Sequence, residues 1–193
     1  MTSEAVSVAI VAMETGGMAG GLASGSVSDA LFAGRRAPVM ALCSAALCAS
    51  LALFWADTSL EAWLPGFGSL CTALGMTPAV GGLAAWSALI GLFSFPVHVL
   101  LGLAARELVP SSISATAGGL VKALGQVGSV LAGYALAQVV QLAGWRWVGI
   151  IFVASAAGST AVLAPLWHAT AVDDAPASAR SSGGVAKPKA KQA

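Results

Sequence analysis

The sequence predicts an all-α membrane protein with five transmembrane helices, and its composition and five long apolar stretches carry that prediction. Of the 193 residues, 58% are hydrophobic and only 9% are charged, against roughly 25% charged in an average soluble domain. So few charges could not cover the surface of a soluble domain. The net charge of +1 offers nucleic acid no basic surface. No constellation of catalytic residues or metal ligands is visible, so we expect no enzyme activity, metal or cofactor.

Five apolar stretches have the length to cross a bilayer, whose core needs about 20 apolar residues per helix. They form a predicted bundle over residues 1–170. The first stretch is interrupted only by Glu14, and the fourth carries Lys122. A loop containing Asp57, Glu61 and Trp63 separates the second stretch from the third. The five predicted spans are residues 5–28, 37–56, 79–105, 115–140 and 147–169.

The lysines and arginines predict the orientation of the chain in the membrane. Arg35 and Arg36 follow the first span, Arg106 follows the third, and four more basic residues lie beyond the fifth. The opposite side of the membrane would hold only Arg146. By the positive-inside rule, the larger set faces the cytosol. The carboxy terminus is therefore expected to be cytosolic.

The composition changes after the fifth span to Asp, Ala, Pro, Ser, Gly and Lys, which cannot bury enough apolar surface to fold. Residues 171–193 are therefore predicted to be a disordered tail. Lys189 and Lys191 stand fifth and third from its end. That spacing resembles the K-x-K-x-x retrieval signal of endoplasmic-reticulum membrane proteins, an address read by coat proteins rather than an anchor. It predicts an endoplasmic-reticulum location.

Small residues at four-residue spacing predict close helix packing in the first and fourth spans. In lipid, helices associate where small residues let the backbones approach. Such rows fit a static bundle, and they equally fit helices that slide or rock during transport. The rows are Gly17-Gly21-Gly25 and Gly16-Gly20-Ser24-Ser28 in the first span, and Gly125-Ser129-Gly133 in the fourth.

Glu14, His98 and Lys122 lie inside predicted spans, where ionisable groups are costly and indicate function by default. Lys122 would attract a phosphate ester as a point charge, or would extend to the cytosolic interface. His98 would donate a hydrogen bond to phosphate or to a neighbouring helix. Glu14 would pair with a cation of another helix, or would couple substrate or protons. Glu107, after the third span, is interpreted as an interfacial anchor.

A local motif closes the first span. Gly25 and Asp29 are followed by Gly34, Arg35 and Arg36 before the next apolar run. Asp29 is expected to end the helix and to interact with the start of the next helix and with one of the two arginines. Such a clasp would hold two helices together in one conformation and release them in another.

This stretch resembles the cytoplasmic loop motif of the major facilitator superfamily, G-x-x-x-D-R/K followed by Gly and basic residues, with Ala30 at the usual basic position. Further segments resemble helices of its organophosphate:phosphate antiporter family, which includes a member of the endoplasmic-reticulum membrane. The matching segments are Glu14-Thr-Gly-Gly for the eighth helix, Pro96 to Gly102 and Ala105 to Pro110 for the tenth, Thr116 to Leu120 and Gln126 to Gly128 for the eleventh, and Gly144 to Trp147 for the start of the twelfth.

The resemblance implies a partial major-facilitator C-terminal helix bundle, corresponding to helices 8–12 of a twelve-helix carrier. It implies exchange of glucose 6-phosphate, or another organophosphate, for inorganic phosphate by alternating access. It also implies a fragment, a truncated gene model or a shortened isoform whose partner is the missing N-terminal half of the transporter. Two alternatives stay open: a facilitator for another sugar or a drug, and a non-transporting five-helix membrane protein.

Overall fold

The structure is a computed structural model that describes residues 3–56 and 64–168. Five of its helices are long and apolar enough to cross a membrane, which confirms the predicted fold class. Residues 57–63 of the predicted loop and the predicted tail at 171–193, including Lys189 and Lys191, lie outside the described residues. The elements are α1 Ser3–Phe32, α2 Arg36–Trp55, α3 Phe67–Ala73, α4 Pro78–Glu107, α5 Ser114–Ala143 and α6 Trp145–Leu163, followed by a 3₁₀ helix at Ala164–His168.

The turn between α1 and α2 corrects one prediction. Helix α1 runs on to Phe32, so Asp29 lies in its last turn and does not end it. The chain reverses at Gly34, whose φ of +79° is favourable for glycine. The Gly34 amide donates to the Ser28 carbonyl at 3.1 Å, which satisfies an orphan carbonyl of the helix end. The two left-handed residues Ala33 (φ +51°) and Gly34 therefore set the end of α1.

The loop predicted before α4 contains a short helix, α3. Cys71 of α3 is 2% exposed and lies against Gly81 of α4, where a side chain would collide with its sulfur. Helix α4 begins directly after Thr77, whose hydroxyl accepts a hydrogen bond from the Val80 amide at 3.4 Å. Pro78 occupies the first helical position, where its missing amide hydrogen costs nothing. The contact of Cys71 with Gly81 therefore holds α3 against the first turn of α4.

Helices α1 and α4 pack backbone to backbone at three glycines. A methyl group on Gly20 would overlap the carbonyl oxygen of Leu92, and Gly16 meets α4 in the same way one turn earlier. Reciprocally, a methyl group on Gly91 would overlap the Met13 carbonyl oxygen. The two helices approach this closely because no side chain separates them.

The other predicted packing residues of α1 lie beside this contact. Gly17 is buried under the Phe95 ring, and a side chain at Gly21 would lie 3.6 Å from Val99. Gly25 has no neighbour within 4 Å among the described residues. The row that contains Gly16 and Gly20 thus makes the closest approach, and the row that contains Gly17 and Gly21 contacts side chains.

Helices α2, α4 and α6 form the apolar core at the end of the bundle where α1 ends and α2 begins. The Phe32 ring at the end of α1 meets the Trp167 ring edge-on, with the ring centroids 6.2 Å apart. The start of α2 and the ends of α4 and α6 therefore share one side of the bundle. The buried cluster consists of Ala37, Val39, Met40, Ala41, Leu100, Ala104 and Leu163.

Helix α5 is the least enclosed of the long helices. Among the residues of α5, all of which the structure describes, Gly118 is the buried one. Gly125 and Gly133 have no neighbour within 4 Å there, and Ser129 is exposed, its hydroxyl donating to the Gly125 carbonyl at 3.1 Å. The predicted packing role of this face therefore has no partner in the described residues and stays a prediction.

Candidate functional site

Arg36, the first residue of α2, joins the ends of three helices. Its guanidinium donates to Asp29 Oδ1 at 2.6 Å, and to Glu107 Oε1 and Oε2 at 3.2 Å each. Asp29 comes from α1 and Glu107 from the last position of α4. Of the two arginines proposed as partners of Asp29, Arg36 makes the contact. The structure adds Glu107, for which the sequence predicted a role as an interfacial anchor.

The neighbouring residues hold this arrangement in place. The Arg35 side chain donates to the Phe32 carbonyl at 3.2 Å, so it stays on its own turn. The buried Ser28 hydroxyl donates to the Arg35 carbonyl at 3.0 Å and ties the turn to α1. Arg106 packs over Gly118 of α5. The ends of α1, α2 and α4 and the start of α5 thus meet at one place, which we call the ionic end.

The two ion pairs of Arg36 differ in shielding. The side chains of Arg36 and Glu107 are 14% and 26% exposed, whereas that of Asp29 is 64% exposed. Two parallel hydrogen bonds join Arg36 to Glu107, and such bidentate pairs are the strong class of charge-assisted bond. Exposed pairs contribute little because water screens them. Glu107 is therefore the stronger partner, and Asp29 is the one more easily released.

This asymmetry gives a testable prediction. Glu107→Gln should lower the free energy of unfolding by about 1.5–3 kcal/mol, the range for a hydrogen bond to a charged group. Asp29→Asn, the matched acid-to-amide change, should cost at most about 1 kcal/mol. Thermal unfolding in detergent, followed by circular dichroism, measures both variants. Equal losses of stability, or a larger loss for Asp29→Asn, would contradict the asymmetry.

A second feature is the α2–α4–α6 cavity, a space of about 610 Å³ between these three helices. His98 of α4 is exposed and lines it. Ser44 of α2 also lines it and is already paired, because its hydroxyl donates to the Ala156 carbonyl at 3.2 Å and bonds the Ser159 hydroxyl. None of the described residues around the cavity is Lys, Arg, Asp or Glu.

The structure does not bring the three intramembrane ionisable residues together. Lys122 is exposed on α5, and its Cε would lie 3.8 Å from a side chain placed at Gly102 of α4. Glu14 is exposed on α1. Within the described residues, no hydrogen bond or ion pair joins Glu14, His98 and Lys122, and no cluster of three metal-ligating side chains is present.

The chain is similar to curated proteins over most of its length. It is 29% identical over 157 residues to the probable hexose phosphate transport protein of Chlamydia pneumoniae. It is 28% identical over 157 residues to the protein of that name from Chlamydia trachomatis. It is 32% identical over 156 residues to the membrane sensor protein UhpC of Escherichia coli K12.

These alignments cover 81%, 81% and 80% of this chain but only 31% of each relative. The chain therefore spans about a third of the length of the curated relatives that it matches. No protein-family model matches the chain. No solved structure matches it. Over four-fifths of its length, the chain is nonetheless a homologue of hexose phosphate transport proteins and of a membrane sensor protein.

Proposed function

We propose that the chain is the C-terminal part, helices 8–12, of a major-facilitator carrier of the organophosphate:phosphate antiporter family. The carrier exchanges a sugar phosphate, with glucose 6-phosphate as our first choice, for inorganic phosphate. The observation that carries this proposal is the similarity of four-fifths of the chain to hexose phosphate transport proteins. The five span-length helices support it, because a carrier of this kind consists of such helices.

In this proposal the ionic end acts as a releasable clasp. The carrier must populate conformations open to either side, and a substrate shifts their balance through its different affinity for them. Arg36 joins α1, α2 and α4 in the conformation that the structure describes. Loss of the exposed pair to Asp29 frees α1 from α2, while the shielded pair to Glu107 keeps α2 on α4. Exchange follows because the empty carrier reorients poorly, whereas either phosphate permits closure.

The rest of the carrier supplies the second wall of the substrate path. Helices α1 and α5 expose large apolar side chains, among them Met18, Leu22, Val130 and Leu131, each more than 60% exposed. Apolar surface of this kind is covered by lipid or by further helices. We assign part of it to the N-terminal half of the transporter. The described helices alone should therefore show no exchange.

Counterflow in sealed vesicles tests the proposal. The full-length carrier that contains these helices is reconstituted into vesicles preloaded with inorganic phosphate, and labelled glucose 6-phosphate is added outside. We expect uptake that depends on the internal phosphate, and none into vesicles preloaded with sulfate or buffer. Uptake of a neutral sugar or a drug, with none of sugar phosphates, would overturn the proposal in favour of another facilitator.

A second candidate function is sensing, because the membrane sensor protein UhpC of Escherichia coli is as similar to this chain as the transport proteins are, at 32% identity. A sensor binds its ligand without moving it. Equilibrium binding of glucose 6-phosphate with no counterflow would favour this second function. Binding together with counterflow favours the carrier.

We also propose a location in the endoplasmic-reticulum membrane with the tail in the cytosol. The support is the Lys189 and Lys191 spacing and the resemblance of the motifs to the glucose-6-phosphate translocase of that membrane. We expect the double change Lys189→Ala and Lys191→Ala to move a tagged chain from the endoplasmic reticulum to later compartments. Lys187→Ala, two residues outside the motif, is the matched control. Fluorescence microscopy measures the distribution, and an unchanged distribution of the double variant would contradict retrieval by this signal.

A further inference from the structure

Helix α4 contains an interior proline, Pro96, within its contact with α1. Proline has no amide hydrogen, so the carbonyl four residues earlier in the helix, that of Leu92, lacks its usual helical donor. The oxygen of this same carbonyl faces Gly20 of α1, and the two backbones leave no room for a side chain between them. The weakened turn of α4 and one of its backbone contacts with α1 therefore coincide at Leu92.

Gly20 partly replaces the donor that Pro96 lacks. The Gly20 hydrogen in the direction of a Cβ points at the Leu92 oxygen, and such C–H groups are weak donors at contacts between helices. A carbonyl freed inside a membrane helix needs a neighbour of this kind, because the surrounding lipid offers no donor. The contact holds the carbonyl in place, yet it is weaker than an N–H hydrogen bond and resists bending less.

The contacts between α1 and α4 change beyond Pro96. Before it, three glycines bring the two backbones together. After it, a side chain at Gly21 would meet only the Val99 side chain, at 3.6 Å, and Gly25 has no described neighbour within 4 Å. The proline ring and the Leu92 carbonyl crowd each other on the side of α4 that faces α1. Relief of that crowding bends the later part of α4 away from α1.

We propose that α4 is hinged at Pro96 and that the contact of Leu92 with α1 is the fixed point of the hinge. The part of α4 before Pro96 is held on α1 by the glycines. The part after it, residues 97–107, carries Glu107, which Arg36 joins to α2. A bend of about 20° over this length of about 16 Å moves its end sideways by about 6 Å.

The hinge explains how the ionic end opens while α1 and α4 stay in contact. In a rigid pair of helices, Asp29 and Glu107 would keep a fixed separation, and Arg36 would keep both partners. A bend at Pro96 moves Glu107 away from Asp29. Arg36 then stays with Glu107, since that pair is the shielded one. This role in the clasp rests on the proposed function, whereas the bend itself needs no substrate.

Spin-label distances in lipid nanodiscs test the bend without a transport assay. One pair of labels, at Ser26 of α1 and Leu108 after α4, reports the hinged end. A second pair, at Ser7 and Ala79, reports the starts of the same two helices, and all four positions are exposed. The labels are introduced as unnatural amino acids, which leaves the native cysteines in place. Double electron–electron resonance should give a broad distance distribution at the hinged end and a narrow one at the helix starts.

Two proline variants separate a hinge from a static kink. Pro96→Ala restores the amide hydrogen and should narrow the distribution at the hinged end to the width found at the helix starts. Pro78→Ala makes the same change at the first position of α4, where an amide has no helical partner, and should alter neither distribution. A narrow distribution at the hinged end of the parent chain, or a width that Pro96→Ala leaves unchanged, would overturn the hinge.

Asp29→Asn decides the matter even where Pro96→Ala fails to fold. Loss of the ion pair frees the end of α1 from Arg36, so we expect a second population at the hinged end, longer by about 6 Å, and none at the helix starts. The double variant Asp29→Asn with Pro96→Ala should lack this population. Its absence from Asp29→Asn alone would overturn the hinge. No measurement here uses sugar phosphate, so exchange can fail where the bend is observed, and the reverse.

Discussion

Gly20→Ala is expected to destabilise the chain strongly, far more than a methyl group added at Gly25 of the same helix. The new Cβ would overlap the carbonyl oxygen of Leu92 in the backbone of α4. A backbone atom cannot rotate away as a side chain does, so the whole helix must move. Overpacking of this kind costs typically 1–3 kcal/mol, and we expect about 3 kcal/mol here. The measurement is the thermal midpoint in detergent, together with the monodisperse fraction on size exclusion.

Gly25→Ala on the same helix is the matched control. Gly25 has no described neighbour within 4 Å, and alanine is favoured over glycine in helices by about 1 kcal/mol. We expect this variant to be as stable as the parent or more so. Gly91→Ala, from the other side of the contact, should match Gly20→Ala, because it would overlap the Met13 carbonyl oxygen. Similar midpoints for Gly20→Ala and Gly25→Ala would contradict the backbone contact.

Composition and apolar length were sufficient to predict the fold class, because a bilayer requires long apolar helices whatever their neighbours are. The ends of the helices were harder to predict from the sequence. The last turn of α1 continues through Asp29, since the helix ends only at the left-handed residues Ala33 and Gly34. The short helix α3 was not predicted, because seven residues are too few to show a helical period. Its position depends on Cys71 meeting Gly81, a contact that no local pattern encodes.

The candidate site, too, could be predicted from the sequence only in part. The Asp29 and Arg36 pair lies within seven positions of sequence, so a local motif pointed to it. Glu107 is 71 positions from Arg36, and only the antiparallel course of α2 and α4 brings them together. Antiparallel membrane helices place the start of one on the same side of the bilayer as the end of the other, so the topology could have suggested this partner. The cavity beside His98 needed three helices in their final positions.

The glycine rows show why spacing alone does not identify a contact. The rows of α1 and α5 have the same four-residue period, yet only α1 packs through its row on a described helix. The difference lies in the partner, because α4 offers Gly91 opposite α1. A period therefore predicts the capacity for close approach, and the facing residue decides whether it occurs.

Lys122→Gln in the full-length carrier is expected to raise the glucose 6-phosphate concentration for half-maximal exchange by about tenfold or more. A hydrogen bond to a charged group is worth roughly 1.5–3 kcal/mol, and 1.4 kcal/mol corresponds to tenfold. Lys122 lies eight residues into α5, about 12 Å from its start. Its side chain lies beside Gly102, where the missing side chain leaves room for the ammonium group to move. This expectation rests on the proposed function.

The matched variants separate substrate binding from a structural role of Lys122. Lys122→Arg keeps the positive charge and should retain most of the affinity. Because sugar phosphate and inorganic phosphate share the phosphate group, Lys122→Gln should weaken both to a similar degree in counterflow and in equilibrium binding. A lysine that merely extends to the interface gives another pattern: Lys122→Gln then leaves both affinities unchanged and alters only the amount of folded carrier. That pattern would remove Lys122 from the substrate path, since a charge that attracts phosphate cannot be lost without a loss of phosphate affinity.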